Sequence, residues 1–281
     1  MVERACLGDH YVDHVVIGGS VLDELETAFA DVGLVPEYGG EHEHDATHNS
    51  LIGFEDGSYI ELIAATETGC PDRRTDFIRN DVGPCGWALE TTGIESLAEQ
   101  MRAREVPVAV TDRHERETPN GNQAAWLLAY LGDGEPGTSL PFVIENLTPR
   151  NRRITPGQSA DQIGVTGIDA AVIGVESLGE ASNRYRRAFG LSEPKRDRDE
   201  GLGAELAYFP GSAVILAAPL DSGWLDDRVS RYGDLPCCVL LAADQRAFDW
   251  FDPMTTTTWF DRRVGWLPID LPEGRVGIVD G

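Results

Sequence analysis

The feature that most constrains this chain is internal repetition. Asp13-His14-Val15-Val16-Ile17-Gly18 in the first half returns as Asp169-Ala170-Ala171-Val172-Ile173-Gly174 in the second, and each copy runs from an apolar strand-like segment into a helical pattern. A repeated strand–helix opening requires a fold assembled from like modules. In the first module, Tyr11 to Gly19 reads as a buried strand. Ser20 is placed to cap a helix carrying Leu22, Leu25, Phe29 and Val32 on one face, and Gly33 ends it. Three strands are expected next, at Leu34 to Tyr38, His48 to Glu55 and Ser58 to Ala65, the last two joined by the hairpin signal Asp56-Gly57.

The same order recurs three times. Strand Gly86 to Thr91, a helix with Ile94, Leu97 and Met101 on one stripe, and strands near Val106 to Val110, Gln123 to Leu131 and Leu140 to Asn146 form a second βαβββ unit, reached through a short helical connection over Pro71 to Asn80. The polar, turn-rich stretch 148–162 reads as a linker. Beyond it, 163–281 is expected to hold a degenerate third module and a shortened fourth one. In the third, Val214 to Ala218 stands where Ile60 to Ala64 stood, and in the fourth, strands are expected at Cys237 to Ala242, Thr256 to Phe260 and Arg263 to Leu267, with a helix near Arg246 to Phe251. The fold class is α+β.

Charge narrows the function classes. The chain has 48 acidic against 23 basic residues, a net charge of −25, and Lys195 is its one lysine. Such a surface repels phosphate, which argues against nucleic acid and anionic membrane as partners, and it suits a salt-rich cytosol of the kind found in a halophile. No apolar run reaches the length of a membrane span, so a cytoplasmic protein is expected. Five cysteines, Cys6, Cys70, Cys85, Cys237 and Cys238, lack metal-site spacing and read as structural thiols. No glycine-rich phosphate loop is present, so no nucleotide cofactor is expected.

Asp13-His14-Val15-Val16-Ile17, Thr47 to Phe54, Gly57 to Ile63 and Pro141-Phe142-Val143-Ile144-Glu145 resemble the strands of the vicinal-oxygen-chelate superfamily, whose glyoxalase, bleomycin-resistance and dihydroxybiphenyl-dioxygenase members pair two βαβββ modules into a cupped sheet. The resemblance covers about residues 11–150, making 11–147 the candidate functional unit. It implies a divalent metal in the cup, held by the first and last strands of each module: His14, Glu61 and Glu145 match, and Trp87 stands nearest the fourth position. His48 and Asn49 match the family's third strand and are expected to line the pocket with Trp87, and Trp126 is expected nearby. Ala170 and Ile215 replace His14 and Glu61 in the third module, so no such centre is expected there.

The residues themselves support two readings. On an extended strand Glu61 sits among apolar neighbours and needs a metal or a cation beside it. One imidazole and two carboxylates suit Zn, Mn, Fe(II) or Ni, and a metal so held would polarise a carbonyl while Glu145 moved a proton, as in a lyase or isomerase acting on a small α-oxo or vicinally oxygenated substrate. The alternative is a metal-free protein that binds a small molecule in the same cup, favoured by Trp87 and Trp126. The loop Glu41 to His48 carries three histidines and reads as an exposed acidic loop or, through His42 and His44, a surface metal site. The oligomeric state stays open between monomer and homodimer.

Overall fold

The β-branched runs become strands because every one of them can bury at least one face, and the periodic segments become helices because their apolar stripes need a sheet to cover. A computed structural model describes residues 4–42, 47–66, 73–117, 121, 123–251, 255–271 and 273–280. Cys70 and His44 lie outside the described residues.

Module one comprises β1 (Cys6–Leu7), β2 (His10–Gly18), α1 (Leu22–Ala30), β3 (Glu37–Glu41), β4 (Thr47–Gly53) and β5 (Tyr59–Ala65). Helix α2 (Arg73–Arg79) leads to module two: β6 (Gly83–Thr91), α3 (Ile94–Ala103), β7 (Val108–Val110), β8 (His114–Glu117), β9 (Gln123–Leu131) and β10 (Phe142–Asn146). A 3-10 turn (Arg150–Arg152) and α4 (Gln158–Gln162) follow. Module three is β11 (Val165–Gly174), α5 (Leu178–Phe189), β12 (Lys195–Asp199), β13 (Ala204–Tyr208) and β14 (Val214–Pro219). Helix α6 (Trp224–Tyr232) leads to module four: β15 (Leu235–Ala243), α7 (Gln245–Phe251), β16 (Thr255–Trp259), β17 (Arg262–Trp266) and β18 (Arg275–Asp280).

Each half forms one sheet, ordered β3-β4-β5-β2-β6-β10-β9-β7 and β12-β13-β14-β11-β15-β18-β17-β16. In all four modules the opening strand runs parallel to the closing one, and in both halves the two opening strands meet antiparallel at the centre. The fold is therefore tandem βαβββ modules, as the sequence implies. The fourth module is complete rather than shortened. Its closing strand β18 is buried along its middle and preceded by Pro268 and Gly274, so it shows neither alternation nor a long apolar run. The strand expected at Leu34 to Tyr38 starts instead at Glu37, after Pro36, which has no N–H for a ladder. Ser20 does not cap α1, which begins after an extended Val21 with no side-chain cap, whereas Ser177 does cap α5 by accepting from Glu180 N at 3.3 Å.

The halves share one core, in which Phe29, Trp87, Leu97, Tyr185 and Val239 belong to the same apolar cluster. Polar ties cross between them: Ala213 N donates to Cys6 O at 2.7 Å and Asp56 N to Thr166 O at 3.1 Å. Arg228 on α6, 1% exposed, donates to the carbonyls of Val82 (2.6 Å), Pro84 (2.6 Å) and Pro236 (2.7 Å) and also to that of Glu273. Burial lowers its pKa, since its partners are carbonyl dipoles instead of carboxylates. Among the described residues no helix is long and apolar enough to cross a membrane.

Candidate functional site

Strand register decides which side chains meet in the first cup. His14 pairs with Tyr59 and Ala88, Val16 with Glu61, Leu51 with Glu61, Phe142 with Ala88, and Ile144 with Leu128. Directly paired residues share a sheet face, so His14, Glu61, Asn49 and Trp126 all face the cup. They line a cavity of about 140 Å³ together with Arg116, His114 and Tyr130.

The pairing steps from Val12↔Leu89 to His14↔Ala88 and skips Asp13. This bulge breaks the alternation that would otherwise point Asp13 and His14 in opposite directions. Asp13, fully buried, accepts from His14 Nδ1 at 2.8 Å, from Arg153 Nη1 and Nη2 at 2.9 and 2.6 Å, and from Arg150 Nη1. Burial would push its carboxyl up, but the guanidinium groups of Arg153 and Arg150 and the His14 hydrogen bond hold it well below the usual carboxylate range. Arg153 also donates to the Tyr59 hydroxyl at 2.5 Å, and the His14 ring stacks on Tyr59 with centroids 4.6 Å apart. With Nδ1 tied to Asp13, His14 turns Nε2 into the cup, 3.5 Å from Glu61 Oε2. Glu61 Oε1 accepts from Asn49 Nδ2 at 2.5 Å and lies 3.6 Å from His42 Nε2.

Three expectations need correction. Glu145 pairs with Thr91 and Leu127 and points away from the cup, where its Oε2 accepts from Ile94 N at 2.9 Å and satisfies a free N–H at the start of α3. It cannot share an ion or a substrate with His14. Trp87 pairs with Val15, lies on the core side with no exposure, and packs beside Tyr185 of the second half, so it does not line the pocket. The residue across from His14 is Ala88. His48 faces away from Asn49 on the same strand and meets Tyr38 edge-on at 6.3 Å. Asn49 and Trp126 do line the cup, and His14 and Glu61 come together there.

Sequence reading also missed residues. His114 and Arg116 lie on β8, whose wording His-Glu-Arg-Glu hides a period-two strand in a charged run. Arg150 and Arg153 come from the stretch read as a linker; both reach Asp13, and Arg153 also lines the cup. A buried aspartate calls for a cation, and the arginine-rich wording Arg150-Asn151-Arg152-Arg153 was its available signal.

The donor set can be tested against a family-type metal centre. Two of the four strand positions carry donors, His14 and Glu61, and the other two carry Ala88 and Ile144. Among the described residues no group of three or more His, Cys, Asp and Glu side chains is placed to hold a metal ion. The residues present do not fit a four-position centre. In the second half the equivalents Ala170 and Ile215 sit within a continuous apolar cluster with Trp259 and Trp266, so that cup is packed.

A family model described as a glyoxalase-like domain matches residues 12–189. The chain belongs to the glyoxalase-like domain family. No curated protein matches it in sequence. Among solved structures, a hypothetical protein from Staphylococcus aureus is similar over 96% of this chain and 99% of its own, with a TM-score of 0.64 and 14% identity. A mutant 4-hydroxymandelate synthase from Streptomyces coelicolor aligns over 99% of this chain and 92% of its own, with a TM-score of 0.62 and 12% identity. The 2,2',3-trihydroxybiphenyl 1,2-dioxygenase of Sphingomonas wittichii aligns over 99% and 91%, with a TM-score of 0.53 and 15% identity. At such identities these likenesses show the glyoxalase-like fold alone.

Proposed function

We propose that this glyoxalase-like protein binds a small organic molecule in its N-terminal cup without a family-type divalent centre. The observation that carries the reading is the make-up of the wall facing His14 and Glu61: Ala88, Phe142, Ile144, Trp126 and Tyr130 stand on the module-two side, where further donors would be needed. An aromatic wall opposite a polar edge is the usual composition of a small-molecule pocket. His14, oriented by Asp13 and directed at the cup next to Glu61, is the group able to take or return a proton at a bound molecule.

The second reading is a divalent-metal-dependent lyase or isomerase acting on a small α-oxo or vicinally oxygenated substrate. It is favoured by the approach of both His14 and His42 to the Glu61 carboxylate, at 3.5 and 3.6 Å. Elemental analysis of untagged protein, alongside Glu61→Ala, separates the two. The metal-free reading expects no stoichiometric metal and ligand-induced tryptophan quenching that chelators leave unchanged. About one metal per chain, lost in Glu61→Ala, would overturn it in favour of the metal-dependent enzyme.

A further inference from the structure

We propose that Arg116 is the seat of a carboxylate and that the ligand of the cup is a single-ring aromatic carboxylate. The inference rests on the cup being the ligand site.

Three guanidinium groups are buried among the described residues: Arg116 at 7% exposure, Arg153 at 6% and Arg228 at 1%. Arg153 is neutralised by Asp13, and both terminal nitrogens of Arg228 are held by carbonyls, four in all. Arg116 has neither. Its Nη1 donates to Asn49 Oδ1 at 3.3 Å and its Nη2 to Arg153 O at 3.4 Å, both long, while its buried Nε meets no partner among the described residues. No carboxylate of a described residue forms an ion pair with it, and its nearest link to one runs through Asn49, which holds Glu61 with its other end. A guanidinium carries five N–H groups in a fork that fits a carboxylate edge to edge, so donors remain for an anion. Leaving such a charge buried and half-satisfied is costly unless something arrives to complete it.

Arg116 lines the cup cavity of about 140 Å³ and also a neighbouring cleft of about 270 Å³, so a ligand in either would lie beside it. The next wall of the cup is flat: the His114 ring lies against Trp126 with centroids 6.3 Å apart and planes 11° from parallel. The cavity is close to the roughly 150 Å³ that accepts a benzene ring. A planar ring against Trp126 with its carboxylate on Arg116 uses both features. The chain's net charge of −25 repels anions in general, so retention of one requires a dedicated buried cation.

Isothermal titration with benzoate and its neutral isostere benzamide tests this. The expected result is benzoate binding about tenfold or more tighter than benzamide in the wild type, with the ratio falling to about one in Arg116→Gln. If the glutamine variant does not fold, Arg116→Lys is measured instead, and loss of the fork should cut the ratio at least about threefold. Equal binding of the two probes, or a preference unchanged in the variants, overturns the carboxylate seat and leaves the cup as a ligand site. Binding of neither probe at millimolar concentration overturns the aromatic carboxylate as ligand, while the reading of the cup as a ligand site stands or falls on the metal analysis and tryptophan quenching.

Discussion

Replacing Arg228 with methionine should destabilise the whole chain. The side chain of Arg228 reaches from α6 to three separate segments, bonding carbonyls at Val82 and Pro84 in module two and at Pro236 and Glu273 in module four. A hydrogen bond from a charged donor contributes about 1.5–3 kcal/mol, so four bonds correspond to a gross ~6–12 kcal/mol. Against this stands the desolvation of the guanidinium itself, several kcal/mol, which methionine avoids. The four carbonyls would then be left in a dry site, and a net loss of about 3–5 kcal/mol is expected, in line with breaking other buried charge networks. At ~2–4 °C per kcal/mol for a chain of this size class, the thermal midpoint should fall by roughly 10 °C. Urea and thermal melts followed by circular dichroism give both quantities. Because the lost ties join the two halves, the variant should also unfold in a less cooperative transition. A loss under about 1 kcal/mol, with cooperativity intact, would refute the claim that these bonds hold the halves together.

Two further outcomes follow from the site. Asp13→Asn should cost about 3–5 kcal/mol near neutral pH, because buried Arg153 loses its counter-ion and Arg150 keeps only Glu90. The folded pKa of Asp13 is depressed, so its contribution is present above the unfolded value of about 3.9 and is lost as pH falls below it; urea melts from pH 7 to pH 3 should therefore show the wild type losing more stability than the variant, and parallel curves would contradict the assignment. Glu145→Ala should cost about 1 kcal/mol through the lost contact with the start of α3 while leaving ligand affinity in the cup unchanged; a changed affinity would mean that Glu145 acts in the cup after all.

How much was legible in the sequence follows from which interactions are local. The Asp56-Gly57 turn, with Gly57 at φ +91°, and the repeated opening strands are written in adjacent residues, and the sheets formed around them as expected. His14, Glu61 and Asn49 are legible through the resemblance of β2, β4 and β5 to the family's strands, and the register then brings them and Trp126 to one face. The misplacement of Glu145 and Trp87 was an error of one residue, and in a strand one residue is a change of face. No residue pattern near Ala88 or Ile144 reports on the register across β6 and β10, which is fixed by pairing between distant strands. The bulge at Asp13 is hidden for the same reason, since it is a mismatch between β2 and β6. Arg116 and Arg153 lay in segments too short or too polar to show a period.

The position of Arg150 and Arg153 has a consequence for how the first half comes into being. The two arginines lie past the end of β10, on the tether that leads to the second half, yet they neutralise a carboxylate at the heart of β2. During synthesis the sheet of modules one and two would be fully translated while Asp13 still lacked its cations. A fragment cut at residue 147, the natural seam by strand count, would carry every sheet-borne residue of the cup and still enclose an uncompensated charge beside His14. The match of the family model to residues 12–189 runs across that seam. By its charge, a unit that completes the cup is expected to extend beyond Arg153.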